Sequence, residues 1–371
     1  MGDFEEKTLL RFQKALIHSY EVYTFDKLKE ELGKSAYCLV IQSNVFITED
    51  SVDHLSRIFN ENSGYDVLVP VSNETKVDLQ RHLPPYFYQT PTVYSWVVKD
   101  IFSNYGNEVI ETHEIDEFCL FFKSNLLNFL DGNYSFENLL RVIKTKGLRY
   151  GVAKGVYVHR YGNCYESPRI DLLPFISLDV KSLLDIGCAR GLLGEIIKKR
   201  QNCRVEGVDI DASFDKWAAD RLDKFICADI EKIAGTDKLG TYDCIICADV
   251  LEHLYDPYDV LQRLNAHLNR EGLIIATVPN INNWAIIYEL LNGRWDYVPF
   301  SILSGTHIRF FTKDNIIEMF SSSGYKVKEV HFTKFDIPEK GIRFIEDLKT
   351  VIKDIQYEEL SVSEITVLAN L

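Results

Sequence analysis

Apolar and polar residues alternate with two different periods in the second half of the chain. Short apolar runs of strand length are separated by segments whose apolar residues recur at helical spacing. The strand-like runs include "SLLDIGC", "CRVEGVDI", "YDCIICAD" and "GLIIATVP", and the helical ones include "GLLGEIIKKR" and "DPYDVLQRLNAHL". Because parallel strands need crossover connections, this alternation predicts a doubly wound α/β domain with a mostly parallel sheet over residues 181–371. The closing runs "YKVKEVHFT" and "SEITVLAN" can pair antiparallel, so the last strand is expected to oppose the others.

The first part of the chain follows a looser pattern. Apolar runs such as "AYCLVIQ", "YDVLVPV" and "GVAKGVYVH" are interspersed with helical segments such as "TEDSVDHLSRIFNEN". This predicts a second, smaller α/β domain over residues 1–162. Residues 163–180 contain Pro168 and Pro174 and little periodicity, which is typical of a linker.

The charge of the chain argues against nucleic acid and anionic membranes as partners. The chain has 371 residues, with 55 acidic side chains against 41 Lys and Arg, a formal net charge of -14. Such a balance gives no general attraction to nucleic acid or to anionic membranes. The sequence contains no apolar run that could cross a bilayer, and it begins with the acidic "MGDFEEKTLL" where a signal peptide would be basic. A cytoplasmic protein without a membrane span or a nucleic-acid partner is expected, with a homo-oligomer possible.

The eight cysteines are scattered and show no zinc-binding pattern. Cys244 and Cys247 form a C-x-x-C pair inside "YDCIICADV", an apolar strand-like run. They are therefore predicted to be core residues rather than a redox pair, and no metal site is predicted.

The stretch "LLDIGCARGLLG" places Asp185 at the end of the first strand of the sheet, followed by Gly187 and Gly191. Ligands of open α/β sheets bind beyond the carboxyl ends of the strands, and glycine lets the backbone turn tightly and approach a ligand. A carboxylate at this position favours S-adenosylmethionine, which carries positive charge, over the pyrophosphate of a dinucleotide. The dinucleotide pattern G-x-G-x-x-G, started at Gly187, meets Ala189 and Leu192 instead of glycine, which disfavours a nicotinamide dehydrogenase.

Two further acids end the next two strands. Asp209 follows "VEGV" and is expected to accept hydrogen bonds from ribose hydroxyls. Asp229, in "FICADI", is expected to accept from an adenine amino group, with Ile230 beside the ring. Each acid by itself is equally well explained as a cap of the following turn or helix.

These motifs carry a resemblance. Residues 180–333 resemble a class I S-adenosylmethionine-dependent methyltransferase with a Rossmann-like sheet, through "LLDIGCARG", "VEGVDID", "ADI" and the segment from "ADVLEHL" to "NREG". The run "VPNINNWAIIYELLNGRWDYVPFSILSGTHIRFFT" is similar to a bacterial subgroup that modifies sugars and small molecules. The resemblance implies S-adenosylmethionine as cofactor. The cofactor-binding residues it implies are Asp185, Gly187, Cys188, Ala189, Gly191, Asp209, Ile210, Asp229, Ile230, Asp249 and Leu251.

Methyl transfer to a hydroxyl benefits from a general base, and histidine is suited to this role near neutral pH. The candidates are His253 in "LEHL" and His307 in "THIRFF", each of which has a purely structural role as its alternative. Glu252 is an alternative base or a metal contact.

An acceptor pocket is expected around Trp295, Tyr297 and Arg309. The two aromatic rings can stack on a sugar face, and the guanidinium can pair with a phosphate or carboxylate. Core packing explains the aromatics equally well, and surface charge explains the arginine.

The N-terminal part resembles family 2 glycosyltransferases in a truncated and degenerate form. "YCLVIQSNVFITEDSVDHLSRIF" is similar to the stretch that carries their metal-binding acidic pair, but Gln42, Ser43 and Asn44 stand there instead. Glu137 alone remains of a second acidic cluster, and His159, a metal contact in an intact relative, is expected to be structural. The resemblance implies a module that holds a glycan, another glycan-assembly enzyme or a second copy of the chain.

The leading hypothesis is a methyltransferase acting on a sugar hydroxyl in a surface glycan or its precursor. Two alternatives stay open: methylation of an amine on a glycan-linked small molecule, and a catalytically inactive, cofactor-binding scaffold in a glycan-assembly complex.

Overall fold

The computed structural model describes residues 37–42, 45–62, 64–130, 135–160, 168–298, 301–353 and 356–371. Contacts divide the chain into two compact units, Met1–Gly162 and Asn163–Leu371. Among the described residues, no helix combines the length and the hydrophobicity that a bilayer-spanning helix requires.

The N-terminal unit is built on a mixed sheet. Its described strands are β1 (Tyr37–Ile41), β2 (Val45–Phe46), β3 (Val67–Ser72), β4 (Val109–Thr112), β5 (Cys119–Lys123) and β6 (Tyr150–Arg160). Their order is β1-β5-β3-β6-β2, with β4 also paired to β6. Only the β3–β6 pair is parallel among these described pairings. The described helices are α1 (Glu49–Glu61), α2 (Pro91–Tyr105) and α3 (Phe136–Thr145).

Helix α1 packs on this sheet through one apolar face. Its residues Val52, Leu55, Ile58 and Phe59 are buried in a cluster with side chains of β3, β5 and β6. His159, on β6, is hydrogen-bonded to the Tyr88 hydroxyl, and burial lowers its pKa to about 4. Gln42 directly follows β1, whereas Ser43 and Asn44 lie outside the described residues.

The C-terminal unit contains the predicted doubly wound sheet. Its described strands are β7 (Ser182–Ile186), β8 (Arg204–Asp209), β9 (Lys224–Cys227), β10 (Tyr242–Ala248), β11 (Leu268–Pro279), β12 (Lys326–Lys334) and β13 (Val362–Asn370). The order is β12-β13-β11-β10-β7-β8-β9. Pairs from β11 to β9 are parallel, while β13 is antiparallel to both β11 and β12, which confirms the predicted last strand.

Helices connect the strands of this sheet. They are α4 (Leu192–Arg200), α5 (Asp215–Arg221), α6 (Ile230–Ile233), α7 (Pro257–Leu264), α8 (Trp284–Leu291), α9 (Lys313–Ser322), α10 (Glu339–Val351) and α11 (Tyr357–Leu360). The strand order reverses between β7 and β10. This is the point in an open α/β sheet where the crevice for a ligand forms.

Both faces of the sheet are covered, as its nearly continuous apolar strands require. Successive residues of β10 belong to different core clusters: Ile245 and Cys247 to one, Cys244 and Ile246 to the other. Cys244 and Cys247 therefore lie on opposite faces, and burial raises the pKa of both thiols. The prediction that they are core residues is confirmed.

The segment expected to be a linker contributes to the C-terminal unit from residue 168 onward. Ile170–Phe175 forms a 3-10 helix, and Leu172 and Ile176 are buried in a core cluster with residues of β7 and α4. The two prolines suggested a linker, but the buried side chains of Leu172 and Ile176 anchor the segment.

Candidate active site

The loop after β7 reverses direction through left-handed backbone. Gly187, Ala189 and Gly191 have φ of 72°, 46° and 76°. At Gly187 a side chain is also sterically excluded, because a Cβ atom would lie 2.5 Å from Cγ2 of Val250. The backbone amides of Gly187 and Cys188 both donate to the carbonyl oxygen of Val208, at 2.8 and 3.2 Å. The glycines thus bring the end of β7 against β8 and the loop after β10.

The Cys188 side chain faces inward. It is 7% exposed and belongs to a core cluster, so only its backbone is available at the sheet edge.

Asp185 lies at the carboxyl end of β7 and is 4% exposed. Burial, reinforced by the negative charge of Asp209 and opposed by Arg169, raises the pKa of Asp185 to about 7. An acid so raised is stabilised by a positively charged ligand nearby, since the cation restores the interaction that water no longer provides.

Asp209 ends β8 and fastens the glycine loop. Its Oδ2 accepts a hydrogen bond from the Ala189 amide and its Oδ1 accepts one from the Asp211 amide, both at 2.9 Å. Each carboxylate oxygen has a second lone pair, so Asp209 can still accept from a ligand hydroxyl. Burial raises its pKa despite these backbone donors.

The predicted cofactor-binding residues that follow β8 and β9 differ in their exposure. Ile210 is 58% exposed, whereas Ile230, expected beside an adenine ring, is 6% exposed and packs in the core. Asp229 caps α6 by accepting from the Glu231 amide at 3.0 Å, and it also pairs with Lys232. Its capping role is therefore present, at a position two residues after β9, the strand that pairs with β8.

Asp249 follows β10 in a left-handed conformation, with φ of 53°. Its Oδ1 accepts from the Thr277 hydroxyl at 2.9 Å, and its Oδ2 pairs with the Arg169 guanidinium. Arg169 also pairs with Asp171 and Glu364, at 3.0 and 3.1 Å. The sequence did not indicate Arg169, because an isolated arginine in a presumed linker carries no pattern.

Leu251 is fully buried in the core cluster that contains Ile230. Its side chain stabilises the short 3-10 turn Leu251–His253 from below. The Leu251 side chain is therefore not available for the predicted contact with a cofactor.

Glu252, the middle residue of that turn, is 1% exposed. Within the described part of the chain, neither of its carboxylate oxygens has a hydrogen-bond partner. Burial, followed by the charge of Asp249, raises its pKa well above the usual value. Its backbone carbonyl accepts from the amides of Ile308 and Arg309, at 2.9 and 3.0 Å, and so ties the turn to the segment that contains His307.

The structure brings both candidate histidines to Glu252. His307 Nε2 lies 3.9 Å from Glu252 Oε1, and the rings of His253 and His307 are 4.8 Å apart. Each Nδ1 lies against a backbone carbonyl oxygen, that of Thr306 for His253 and that of Ile302 for His307, at 3.0 and 2.9 Å. Since a carbonyl only accepts, each Nδ1 carries the proton of its hydrogen bond, and in the neutral form of either imidazole the lone pair is on Nε2.

Burial is the main reason that the pKa of His307 falls to about 4. The His307 ring is therefore neutral near pH 7. His253 is exposed by contrast.

The predicted acceptor residues lie on the segment between β11 and α9. Trp295 and Tyr297 are 36% and 48% exposed, and the indole packs edge-on against Phe310 with ring centres 5.3 Å apart. The Arg309 guanidinium donates to the backbone carbonyl oxygens of Ile308 and Tyr255. The aromatic pair thus keeps free surface, whereas Arg309 is partly engaged in holding the loop.

The acidic set at this edge fits S-adenosylmethionine. Asp185, Asp209 and Asp229 end the neighbouring strands β7, β8 and β9, and strands in a sheet are spaced about 4.8 Å apart. Carboxylates at these ends can accept from ribose hydroxyls and an adenine amine and can attract a sulfonium and an ammonium group. The partly exposed Asp209, with spare lone pairs beside a glycine loop, is the group that best matches a ribose.

Known proteins resemble the same part of the chain. Residues 158–330 match the family model described as "Methyltransferase domain". A ubiquinone biosynthesis O-methyltransferase of Coxiella burnetii (strain RSA 331 / Henzerling II) is 28% identical over 163 residues, which cover 42% of this chain and 68% of that protein. The enzyme of the same name from Pseudomonas aeruginosa (strain UCBPP-PA14) is 26% identical over 157 residues, covering 40% of this chain and 66% of that protein.

Among solved structures, an S-adenosylmethionine-dependent methyltransferase from Archaeoglobus fulgidus aligns with 55% of this chain and 95% of its own, with a TM-score of 0.41 and 19% identity. The fold, the acidic sheet edge and the family match agree on the cofactor and on the type of reaction. The protein is therefore an S-adenosylmethionine-dependent methyltransferase, and its residues 158–330 are similar to the methyltransferase-domain family.

Proposed function

We propose that the protein methylates a hydroxyl of a small acceptor, a sugar in a surface glycan or in its precursor. The observation that carries this proposal is the convergence of Glu252, His253 and His307 at the end of β10. Groups that accept protons or bind hydroxyls help an alcohol to react, because a hydroxyl must lose its proton as it is methylated. An amine that arrives neutral has its own lone pair and needs no such cluster.

The residues of the sheet edge have separate tasks in this reaction. When bound, S-adenosylmethionine supplies a methyl group on a sulfonium, so that the acceptor oxygen forms the new C–O bond while the C–S bond breaks and its electron pair leaves with sulfur. Asp185 and Asp209 hold the cofactor's charged and hydroxyl groups. The cluster orients the acceptor hydroxyl and takes up its proton, with the free Nε2 lone pair of a histidine as the direct acceptor. Fixing both reactants in line supplies most of the acceleration.

The exposed rings of Trp295 and Tyr297 support a sugar as the acceptor. Aromatic side chains with exposed surface suit the apolar face of a pyranose ring, and both precede His307 on the segment between α8 and α9. The relatives are named O-methyltransferases of ubiquinone biosynthesis. A compound with an aromatic hydroxyl is therefore a suitable alternative acceptor to compare with sugars.

The N-terminal unit is proposed to be a degenerate glycosyltransferase-like module that holds the remainder of a larger glycan. The mixed sheet around β3, β5 and β6 and the resemblance of "YCLVIQSNVFITEDSVDHLSRIF" support this proposal. The alternative ligands of this N-terminal unit are another glycan-assembly enzyme and a second copy of the chain.

The test is a transfer assay with radiolabelled S-adenosylmethionine and three acceptor classes: free and nucleotide-linked sugars, catechols, and aminosugars. Label on a sugar oxygen, located by mass spectrometry, supports the proposal, whereas label on nitrogen alone rejects it. His307→Ala is expected to reduce turnover while cofactor affinity stays unchanged. The matched control is His331→Ala, since His331 pairs with Glu329 on an exposed strand. Full turnover in His307→Ala would remove His307 from the mechanism, and label on no acceptor at all would favour the inactive scaffold.

A further inference from the structure

Glu252 is a buried acid whose charge is not compensated by hydrogen bonds. It is 1% exposed, and no described residue donates to either of its oxygens. Burying a carboxylate costs several kcal/mol unless a donor or a cation compensates for the lost water. A cation placed against these two oxygens would compensate for the lost water.

The nearby arginines do not meet this need. Arg169 pairs with Asp171, Asp249 and Glu364, and its described ion pairs do not include Glu252. The Arg309 guanidinium donates to the carbonyl oxygens of Ile308 and Tyr255. Neither guanidinium donates a hydrogen bond to the Glu252 carboxylate, although the positive charge of Arg169 acts on it through space.

The side chains that lie near Glu252 are the imidazole rings of His253 and His307, which can also offer lone pairs. A ligating atom from each of Glu252, His253 and His307 lies within 4.8 Å of the other two. The imidazole protons are used by the carbonyl oxygens of Thr306 and Ile302, which leaves the Nε2 lone pairs. Backbone carbonyls fix metal-binding histidines in this same way, because the bond sets both the tautomer and the ring orientation.

We propose that Glu252, His253 and His307 form a binding site for a divalent transition-metal ion. Metal–ligand bonds of about 2.1 Å place neighbouring ligand atoms about 3 to 3.5 Å apart. The 3.9 Å between His307 Nε2 and Glu252 Oε1 is already close to this value. A small shift of the exposed His253 side chain would close the remaining gap.

Two nitrogens and one carboxylate oxygen select the type of ion. Imidazole ligands suit Zn²⁺, Co²⁺ or Fe²⁺, and a carboxylate is also accepted by Mn²⁺, whereas Mg²⁺ and Ca²⁺ prefer oxygen alone. Three protein ligands leave coordination positions open for a substrate. This proposal departs from the prediction from the sequence that the protein has no metal site.

The site also defines an acceptor class, an inference that rests on the proposed function. An ion with open positions binds two adjacent oxygen atoms, such as a vicinal diol of a sugar or a catechol, and lowers the pKa of the bound hydroxyl. The hydroxyl proton then passes to water, and the oxygen is ready for alkylation. In the ion-loaded protein, Glu252 and the histidines act through the metal rather than as direct bases.

The experiment uses the full-length protein after treatment with a chelator and dialysis. Co²⁺ is titrated by visible absorption and equilibrium dialysis, and Mn²⁺ by electron paramagnetic resonance. One Co²⁺ per chain is expected, with a d–d spectrum of nitrogen and oxygen ligands and without a thiolate charge-transfer band. Glu252→Gln and His253→Ala are each expected to weaken binding by about tenfold or more, and His331→Ala to leave it unchanged.

Two outcomes would overturn the site: wild-type protein that retains neither Co²⁺ nor Mn²⁺ at about millimolar concentration, or affinity that is equal in all variants. Thermal unfolding and cofactor titration verify that each variant is folded. If Glu252→Gln does not fold, the exposed His253→Ala still decides the question. Because the titration needs no acceptor, metal binding without transfer to any hydroxyl would reject the proposed function and leave the site intact.

Discussion

At the residue scale, the acids of the sheet edge differ in how many of their carboxylate lone pairs are already bound by neighbouring protein groups. Asp249 is committed to Arg169 and Thr277, whereas Asp209 spends one lone pair of each oxygen on a backbone amide and keeps the others. Asp185 is more deeply buried and more strongly perturbed than Asp209. Residues of one type at equivalent strand ends therefore have different roles.

Asp209→Ala is expected to weaken S-adenosylmethionine binding. It removes the proposed acceptor for a ribose hydroxyl and the hydrogen bonds that hold the amides of Ala189 and Asp211. A charged hydrogen bond contributes roughly 2 kcal/mol, which corresponds to about a 30-fold loss of affinity in calorimetric titration. Asp314→Ala, at an exposed position of α9, is the control. Unchanged affinity in Asp209→Ala would remove the ribose assignment.

Asp185→Asn is expected to change how stability depends on pH. Burial, together with Asp209, raises the pKa of Asp185 from 3.8 to about 7 in the folded protein. The folded state then holds a proton that the unfolded state has lost, so the contribution of this group to stability is complete below about pH 4 and is lost as the pH rises to about 7.

Because asparagine does not ionise, the free energy of unfolding of Asp185→Asn minus that of the wild type should increase between about pH 4 and 7 and then level off. Urea unfolding of the cofactor-free proteins measures this difference. A difference independent of pH would show that Asp185 is not perturbed by burial.

At the element scale, the turn from β7 into α4 decides where the cofactor loop lies. The strand supplies the buried end, and left-handed residues at 187, 189 and 191 allow the chain to reverse within a few residues. The packing of Gly187 against Val250 couples this turn to the loop after β10, which carries Glu252 and His253.

Gly187→Ala is expected to destabilise the protein more than Gly293→Ala. Both glycines are left-handed, with φ of 72° and 74°, so each substitution costs about 1 to 2 kcal/mol of backbone strain. A Cβ atom at Gly187 would additionally meet Val250 at 2.5 Å, whereas nothing lies within 4 Å at Gly293. Chemical denaturation measures both.

Adding Val250→Ala to Gly187→Ala should recover part of the loss, because it removes the clash but not the strain. Equal costs for the two glycine substitutions, or no recovery in the double variant, would contradict this account of the turn.

At the scale of the whole molecule, each unit has a hydrophobic core of its own. The cluster around Leu55 and Leu68 belongs to the N-terminal unit, and the clusters on both faces of β10 belong to the C-terminal unit. Separate cores indicate that the units can fold independently.

A fragment of residues 163–371 is expected to fold cooperatively and to bind S-adenosylmethionine within about threefold of the full-length affinity, since Arg169 and the described cofactor residues lie in it. Circular dichroism and calorimetry measure these properties. Its activity on a large glycan should fall more than its activity on a simple sugar. An unfolded fragment would show that the C-terminal unit is not independent. Equal loss of activity on the large glycan and on the simple sugar would show that the N-terminal unit does not hold the substrate.

The sequence by itself determined the sheet of the C-terminal unit, its antiparallel last strand and the acids at the strand ends. These features follow from local periodicity and from motifs a few residues long, because strand direction and glycine-rich turns depend mainly on near neighbours in the chain. The core position of Cys244 and Cys247 followed from the same periodicity.

Only the tertiary structure decided which side chains meet. It buried Ile230 and Leu251, brought Arg169 from a presumed linker to Asp249, and placed His307 beside Glu252 and His253. Burial, ion pairing and unsatisfied acceptors depend on residues far apart in the sequence, and no local pattern specifies them. The chain's pattern therefore predicted the sheet edge of the proposed cofactor site, and its packing decided which side chains meet beside it.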